Sequence, residues 1–133
     1  MGKLWLFKVF LDDGVDVINP WLAALPLMVQ ERFRALLSYM EITQLWKGEY
    51  FKALREHRNL YEIRLTGSIQ YRLLGCYGPN PREFTLLIGT TKVANRKGKT
   101  RITTWTPRNA LAIASQRRDS VLSDWRKYTD DYY

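Results

Sequence analysis

The sequence has very little of the side-chain chemistry on which thiol, disulfide and metal sites depend. Its 133 residues include one cysteine, Cys76, and one histidine, His57. A single cysteine cannot form an internal disulfide, and a zinc ribbon needs several thiolates. A serine–histidine triad would have to be built around His57, and no nucleophile-elbow motif lies near it. We therefore expect neither a metal site nor a cofactor.

Long apolar runs are also missing. A helix that spans a bilayer needs roughly 20 consecutive apolar residues, and no stretch of the chain approaches that length. The apolar segment near the N-terminus is interrupted by Lys8 and followed at once by Asp12 and Asp13, which favours a strand over a signal sequence. These features predict a soluble, cytoplasmic protein that has no membrane partner.

Acidic residues are absent from one long stretch of a basic chain. The net charge is +8, and residues 63–133 account for all of it, with thirteen basic against five acidic side chains. Between Glu83 and Asp119 lie thirty-five residues without a carboxylate and with eight basic groups. Clustered positive charge favours phosphate-rich partners through counterion release. Nucleic acid is therefore the partner that the charge pattern favours, with a merely solvated surface as the alternative.

Length and hydrophobic patterning indicate one α+β domain over residues 1–128, followed by a frayed tail at 129–133. Alternation predicts an N-terminal strand over 3–10. Apolar residues at helical spacing predict a short helix that begins near Asn19 and Pro20 and a longer amphipathic helix over 27–40. Both helices need an apolar surface to cover.

In the second half of the chain, apolar and polar residues alternate with a period of two. After an irregular connection over 41–58, alternation and turn residues predict an antiparallel meander whose strands are 61–66, 69–77 and 83–91. A basic loop is expected over 92–104, and a C-terminal helix over 107–127. In the first strand of the meander, Ile63 and Leu65 should face the core while Glu62 and Arg64 face the other way.

That second face of the meander can support phosphate chemistry. Side-chain parity places Arg64 and Arg72 together on it, beside Glu62, with Lys92 at the end of the third strand. Paired arginine N–H groups stabilise charge on phosphoryl oxygens, and a carboxylate such as Glu62 or Glu49, or a lysine, can move a proton. The alternative is that Arg64 and Arg72 are ordinary exposed strand residues paired with carboxylates.

Three segments of this meander resemble the RelE/HigB family of toxins from bacterial and phage toxin–antitoxin pairs, in the phage-derived branch that has an ELR-like strand. They are Leu60–Leu65, Tyr71–Leu74 and Phe84–Lys92. The resemblance implies a RelE/ParE-type α+β fold, in which an N-terminal strand and two helices pack on a small antiparallel sheet and a C-terminal helix follows. The activity it implies is ribosome-dependent endonucleolytic cleavage of mRNA, inhibited by an antitoxin with a helix-turn-helix domain.

The resemblance also implies roles for individual residues. Arg64, Arg72 and Lys92 match basic positions of the family's active site, and Glu62 matches a position that is lysine or glutamate in relatives. Contacts to RNA and ribosome would come from the basic segment, at Arg96, Lys97, Lys99, Arg101 and Arg108. The general acid is left open, with Lys97, Lys99 and Arg101 as local candidates.

Two other functions remain open from the residues alone. One is a ParE-like inhibitor that acts on DNA gyrase through protein contacts without nuclease chemistry. The other is a non-enzymatic nucleic-acid-binding accessory protein of a phage. Both would use the same fold.

Overall fold

The computed structural model describes residues 2–133, and at 94–97 and 100–103 it describes the backbone only. The fold is α+β, as expected, with four helices and eight strands in the described chain. In chain order the elements are β1 (Leu6–Asp12), β2 (Val15–Asp16), α1 (Asn19–Ala23), α2 (Leu27–Glu41), β3 (Phe51–Ala53), β4 (Tyr61–Leu65), β5 (Gln70–Tyr77), β6 (Glu83–Lys97), β7 (Thr100–Thr106), α3 (Ala110–Ser123), α4 (Trp125–Tyr128) and β8 (Thr129–Asp131).

The strands form one mixed sheet with the order β2-β1-β6-β5-β4-β3, and β7 and β8 pair with β6 and β1. The predicted meander is confirmed, because β4, β5 and β6 pair antiparallel in sequence. The expectation of a small, wholly antiparallel sheet was wrong on two counts. The sheet has eight strands, and β1 runs parallel to β6.

Helices cover both faces of this sheet. One hydrophobic core joins α1 and α2 to the first face, through residues such as Leu22, Phe33 and Leu37. A second core places Ala110, Ala114 and Val121 of α3 against the opposite face. The second face is therefore partly covered and is open only where α3 does not reach.

Short-range chemistry explains how the helical pair begins. Asp16 Oδ1 accepts hydrogen bonds from the backbone N–H groups of Ile18 and Asn19, at 2.7 and 3.1 Å, which satisfies donors that the start of α1 leaves unpaired. Pro20 occupies the first turn, where a missing N–H costs nothing. Pro26 separates α1 from α2.

Three predicted segments differ from the structure. Residues 92–104 are not a loop: β6 continues to Lys97 and pairs with β7, with Arg96 opposite Arg101. The connection over 41–58 contains β3, an edge strand on β4. The C-terminal helix is interrupted at Asp124, whose φ of −154° and ψ of 72° are not helical.

The C-terminal residues are not a frayed tail, which corrects that expectation. β8 pairs antiparallel with β1, and the backbone N–H of Tyr132 donates to the Phe7 carbonyl. The Tyr133 hydroxyl donates to Glu41, a carboxylate that is 2% exposed and also pairs with Lys3 at 3.1 Å. The tail is ordered because β1 offers it an unpaired edge and Glu41 offers it an acceptor.

Over the described residues, every helix is too short or too polar to cross a bilayer.

Two glycines allow close packing across the sheet. A Cβ on Gly89 would lie 2.0 Å from Cδ2 of Trp21, and one on Gly75 would lie 2.3 Å from the Phe84 ring. Since real Cβ atoms do not approach that closely, both positions require glycine. Gly75 also sits at the register shift in the β5–β6 pairing, which is typical of a β-bulge.

We expect Gly89→Ala to lower the free energy of unfolding by about 1–3 kcal/mol, the usual cost of overpacking. Gly67→Ala is the matched control, because a Cβ there would meet its nearest neighbour, the Ile69 carbonyl oxygen, at 3.6 Å. Urea denaturation measures both variants. Equal midpoints for the two variants would contradict the packing argument.

The single thiol provides a probe of global opening. Cys76 is buried, and burial raises its pKa to about 12. Because the thiolate is the reactive form, we expect almost no reaction with a disulfide reagent at pH 8 in the native state. One thiol per chain should react once the protein is unfolded in guanidinium. Rapid labelling of native protein would contradict the buried position.

Candidate functional site

The site residues expected on the meander do share one face. In the antiparallel register Arg64 of β4 lies opposite Arg72 of β5, and Arg72 lies opposite Thr90 of β6. In a strand, residues two apart point to the same side, so Glu62 and Lys92 belong to that face as well. We call Glu62, Arg64 and Arg72 the central cluster.

Arg72 is the most deeply buried member of the central cluster, at 1% exposure. Its Nε donates to Glu62 Oε1 at 3.0 Å. Its Nη1 donates to the carbonyls of Leu65 and Tyr71, at 3.1 and 3.2 Å, and its Nη2 donates to Gln70 Oε1 at 2.8 Å. Desolvation lowers the pKa of Arg72 and the Arg64 charge lowers it further, while Glu62 raises it.

This burial changes the role that Arg72 can have. Four donor contacts are directed at protein atoms, and the side chain has almost no surface left for a ligand. The expectation that Arg72 itself contacts a phosphate is therefore not met in this structure. Arg72 instead holds Glu62 in place and ties the end of β4 to β5.

Arg64 is the accessible guanidinium of the central cluster. Its side chain is 23% exposed, and its Nε lies 3.2 Å from Glu62 Oε1. That separation makes an ion pair, but Nε has no hydrogen-bond partner of acceptable geometry. Glu62 is 5% exposed and lies between two cations. The cluster therefore keeps a net positive charge, which Arg64 presents at the surface.

Lys92 adds a second accessible cation to this face. It lies opposite Gln70 in the β5–β6 register, and Gln70 is the residue that accepts from Arg72. The Lys92 Nζ sits 4.8 Å from the centroid of the Trp105 ring, in a cation–π arrangement. Trp105 therefore packs against Lys92 and the core beneath α3 rather than projecting freely to stack on bases.

The residues predicted to contact RNA and the ribosome lie in the β6–β7 hairpin and just after it. Lys99, at the tip, and Arg108, before α3, are exposed. The side chains of Arg96, Lys97 and Arg101 lie outside the described part of the structure, although their backbone positions in the hairpin are described. Beyond Lys92 the hairpin pairs with no other strand in the described chain, so this basic segment extends past the sheet as a two-stranded ribbon.

Sequence reasoning did not single out Gln70 and Thr90. Gln70 links Arg72 to the position of Lys92, and the Thr90 hydroxyl donates to the Thr106 carbonyl at 2.6 Å, where β7 ends. Strand alternation could have identified both, because Gln70 lies two residues from Arg72 and Thr90 lies two residues from Lys92. Among the described residues, no group of three or more histidine, cysteine or carboxylate side chains is placed to hold a metal ion.

No family model, curated protein or solved structure matches this chain.

We expect the buried pair to contribute to stability more than its exposed neighbour does. Glu62→Ala leaves Arg72 charged and buried without its carboxylate, which typically costs about 3–5 kcal/mol. Arg64→Ala removes a partly exposed ion pair and leaves Glu62 paired with Arg72, so it should cost less, about 0–1 kcal/mol. Urea unfolding measures both, and a Glu62→Ala midpoint equal to that of Arg64→Ala would contradict the structural role of the pair.

Proposed function

We propose that this protein is the toxin of a type II toxin–antitoxin pair and cleaves mRNA on the ribosome. In this proposal Arg64 and Lys92 contact the scissile phosphate, and Arg72 positions Glu62, which in turn orients Arg64. Three observations support the proposal: the family resemblance, the charge pattern and the geometry of the central cluster.

The observation that carries the proposal is the pair of guanidiniums from adjacent strands that meet at one buried carboxylate. The carboxylate neutralises only one of them, and Arg64 is the one whose side chain keeps exposed surface, at 23% against 1% for Arg72. Strands hold these groups more rigidly than a loop would, and preorganised donors stabilise developing charge most effectively. A cation so placed suits a phosphoryl oxygen.

Cleavage of RNA by its own 2′-hydroxyl needs alignment, charge stabilisation and proton transfer. Arg64 and Lys92 supply the charge stabilisation. Glu62 is too buried to exchange a proton with a substrate, whereas Glu49 is 85% exposed and lines the same pocket as Arg64. We therefore assign proton abstraction from the 2′-hydroxyl to Glu49. The proton donor to the leaving oxygen stays open, with Lys97, Lys99 and Arg101 as candidates.

The partners that this proposal requires are mRNA, the ribosome and an antitoxin with a helix-turn-helix domain. The β6–β7 ribbon and Arg108 carry positive charge beyond the central cluster, which suits contacts to ribosomal RNA phosphates. An antitoxin would inhibit by covering Arg64 and Lys92. Action on translating ribosomes places the protein in the cytoplasm.

A second candidate is a nucleic-acid-binding protein without catalysis. The burial of Arg72 favours it, because this residue, which the resemblance matches to a basic position of the family's active site, is here engaged by protein acceptors. Such a protein would bind RNA with a strong salt dependence and leave it intact. Cleavage is the property that separates the two candidates.

Induced expression followed by mapping of transcript 5′ ends, with and without active translation, tests the proposal. We expect new 5′ ends within translated regions, which disappear when initiation is blocked. Arg64→Ala and Lys92→Ala should each reduce cleavage by about 10²–10³-fold, the cost of losing one oxyanion donor. Glu49→Gln should also reduce it, and Lys127→Ala, an exposed charge on α4, should leave it unchanged.

Three results would overturn the proposal. One is cleavage that persists at full rate in folded Arg64→Ala protein. Another is intact transcripts together with salt-dependent RNA binding, which would establish the non-enzymatic candidate. The third is growth inhibition with intact transcripts and altered DNA supercoiling, which would point to gyrase.

A further inference from the structure

A pocket of about 330 Å³ is lined by Arg64 and Tyr50, where the backbone N–H of Arg64 donates to the Tyr50 carbonyl at 2.8 Å. Its lining comes from three parts of the chain: α2, the segment before β3 and the end of β4. The residues that matter here are Arg32, Leu36, Glu49, Tyr50, Arg64 and Leu65. Small-molecule sites usually have volumes of roughly 300–1,000 Å³, so the pocket is large enough for one nucleotide.

The walls of this pocket are apolar and held in place. Leu65 is buried in the core, and Leu36 and Tyr50 pack against that core from α2 and from the segment before β3. The Tyr50 ring contacts Tyr39 edge-on, with ring centroids 6.0 Å apart. An aromatic ring fixed beside aliphatic side chains is a surface on which a nucleobase can stack.

The rim of the pocket carries charges that suit a nucleotide. Arg32 is anchored by a hydrogen bond from its Nη2 to the Thr66 carbonyl at 3.0 Å, and it lines the same pocket as Arg64. Glu49 adds one carboxylate to the lining. Two guanidiniums and one carboxylate leave the rim net positive, which favours a ligand that carries a phosphate.

Arg64 belongs both to this pocket and to the central cluster. Its Nε is buried beside Glu62, but the side chain as a whole is 23% exposed, so a phosphate can reach the accessible part of the guanidinium. A phosphate bound there would lie against the lining of the pocket. The base of the same nucleotide would then reach Tyr50 and Leu36.

We infer that this pocket binds one nucleotide of the RNA, with its base against Tyr50 and Leu36 and its phosphate on Arg64. The inference rests on the proposed function and adds to it the part of the protein that selects the base beside the scissile phosphate. Tyr50 and Arg32 become binding residues for that nucleotide, and neither belongs to the central cluster.

Calorimetric titration of the purified full chain with the four nucleoside 5′-monophosphates tests this site. Ribose 5-phosphate and inorganic phosphate are the probes that lack a base. At least one mononucleotide should bind about ten-fold more tightly than ribose 5-phosphate, a factor that corresponds to about 1.4 kcal/mol. Tyr50→Ala should remove this difference, while Tyr50→Phe, which keeps the ring, should retain it.

Arg32 and Arg34 provide a matched pair of charge deletions on α2. Both are exposed, but Arg34 lines a different pocket, next to Tyr132. Arg32→Ala should weaken mononucleotide binding, and Arg34→Ala should leave it unchanged. Should Tyr50→Ala fail to fold in a thermal unfolding control, this pair decides the result by itself.

The inference falls if no mononucleotide binds more tightly than ribose 5-phosphate, or if Arg34→Ala weakens binding as much as Arg32→Ala. Transcript mapping separates it from the proposed function. Cleavage at unchanged base frequencies in folded Tyr50→Ala protein would overturn the pocket and leave the nuclease standing. Mononucleotide binding that depends on Tyr50, without any transcript cleavage, would support the pocket and overturn the nuclease.

Discussion

A carboxylate almost removed from water, held between two guanidiniums, constrains what the centre of this sheet can do. Charged groups lose their hydration when they are buried, and only close partners and hydrogen bonds offset that loss. Arg72 meets the requirement with acceptors from Glu62, Gln70 and two backbone carbonyls. Because the contacts to Glu62 and to the Leu65 carbonyl need β4 and β5 in one register, they also discourage any slip between these strands.

Coverage of the second face decides which charged groups reach solvent. On this face, Leu74 and Ile88 lie in one row beneath α3 and Arg72 and Thr90 lie in the next. Glu62 shares its row with Leu74 and is drawn into the buried part. Arg64 shares the row of Arg72 but lies on β4, beyond the strands β5 and β6 that α3 contacts, and it keeps part of its surface. The accessible charge of the site is thus set by which strands the helix covers.

Much of α1, α2 and β4 could be predicted from the sequence, because the patterns that indicate these elements are local. Alternation in β4 places Ile63 and Leu65 in the core, and Asp16, Pro20 and Pro26 mark the limits of α1 and the start of α2. The errors fall where pairing is not local. Residues 92–104 carry so much charge that they resemble a loop, yet two basic segments of similar length can pair with each other and form the ribbon.

The C-terminus was mispredicted for the same reason. Its partners, β1 and Glu41, are more than ninety residues away in the chain, and nothing in the last five residues indicates that such partners exist. The parallel pairing of β1 with β6 is likewise a property of the whole fold.

The amino-acid order alone determined which residues share a strand face, because side-chain direction follows from a two-residue period. It also determined where positive charge concentrates, since charge depends only on composition along the chain. Tertiary structure alone decided that Arg72 is enclosed and Arg64 is left accessible. Exposure depends on which distant segments pack over a face, and α3, which packs over this one, begins nearly forty residues after Arg72.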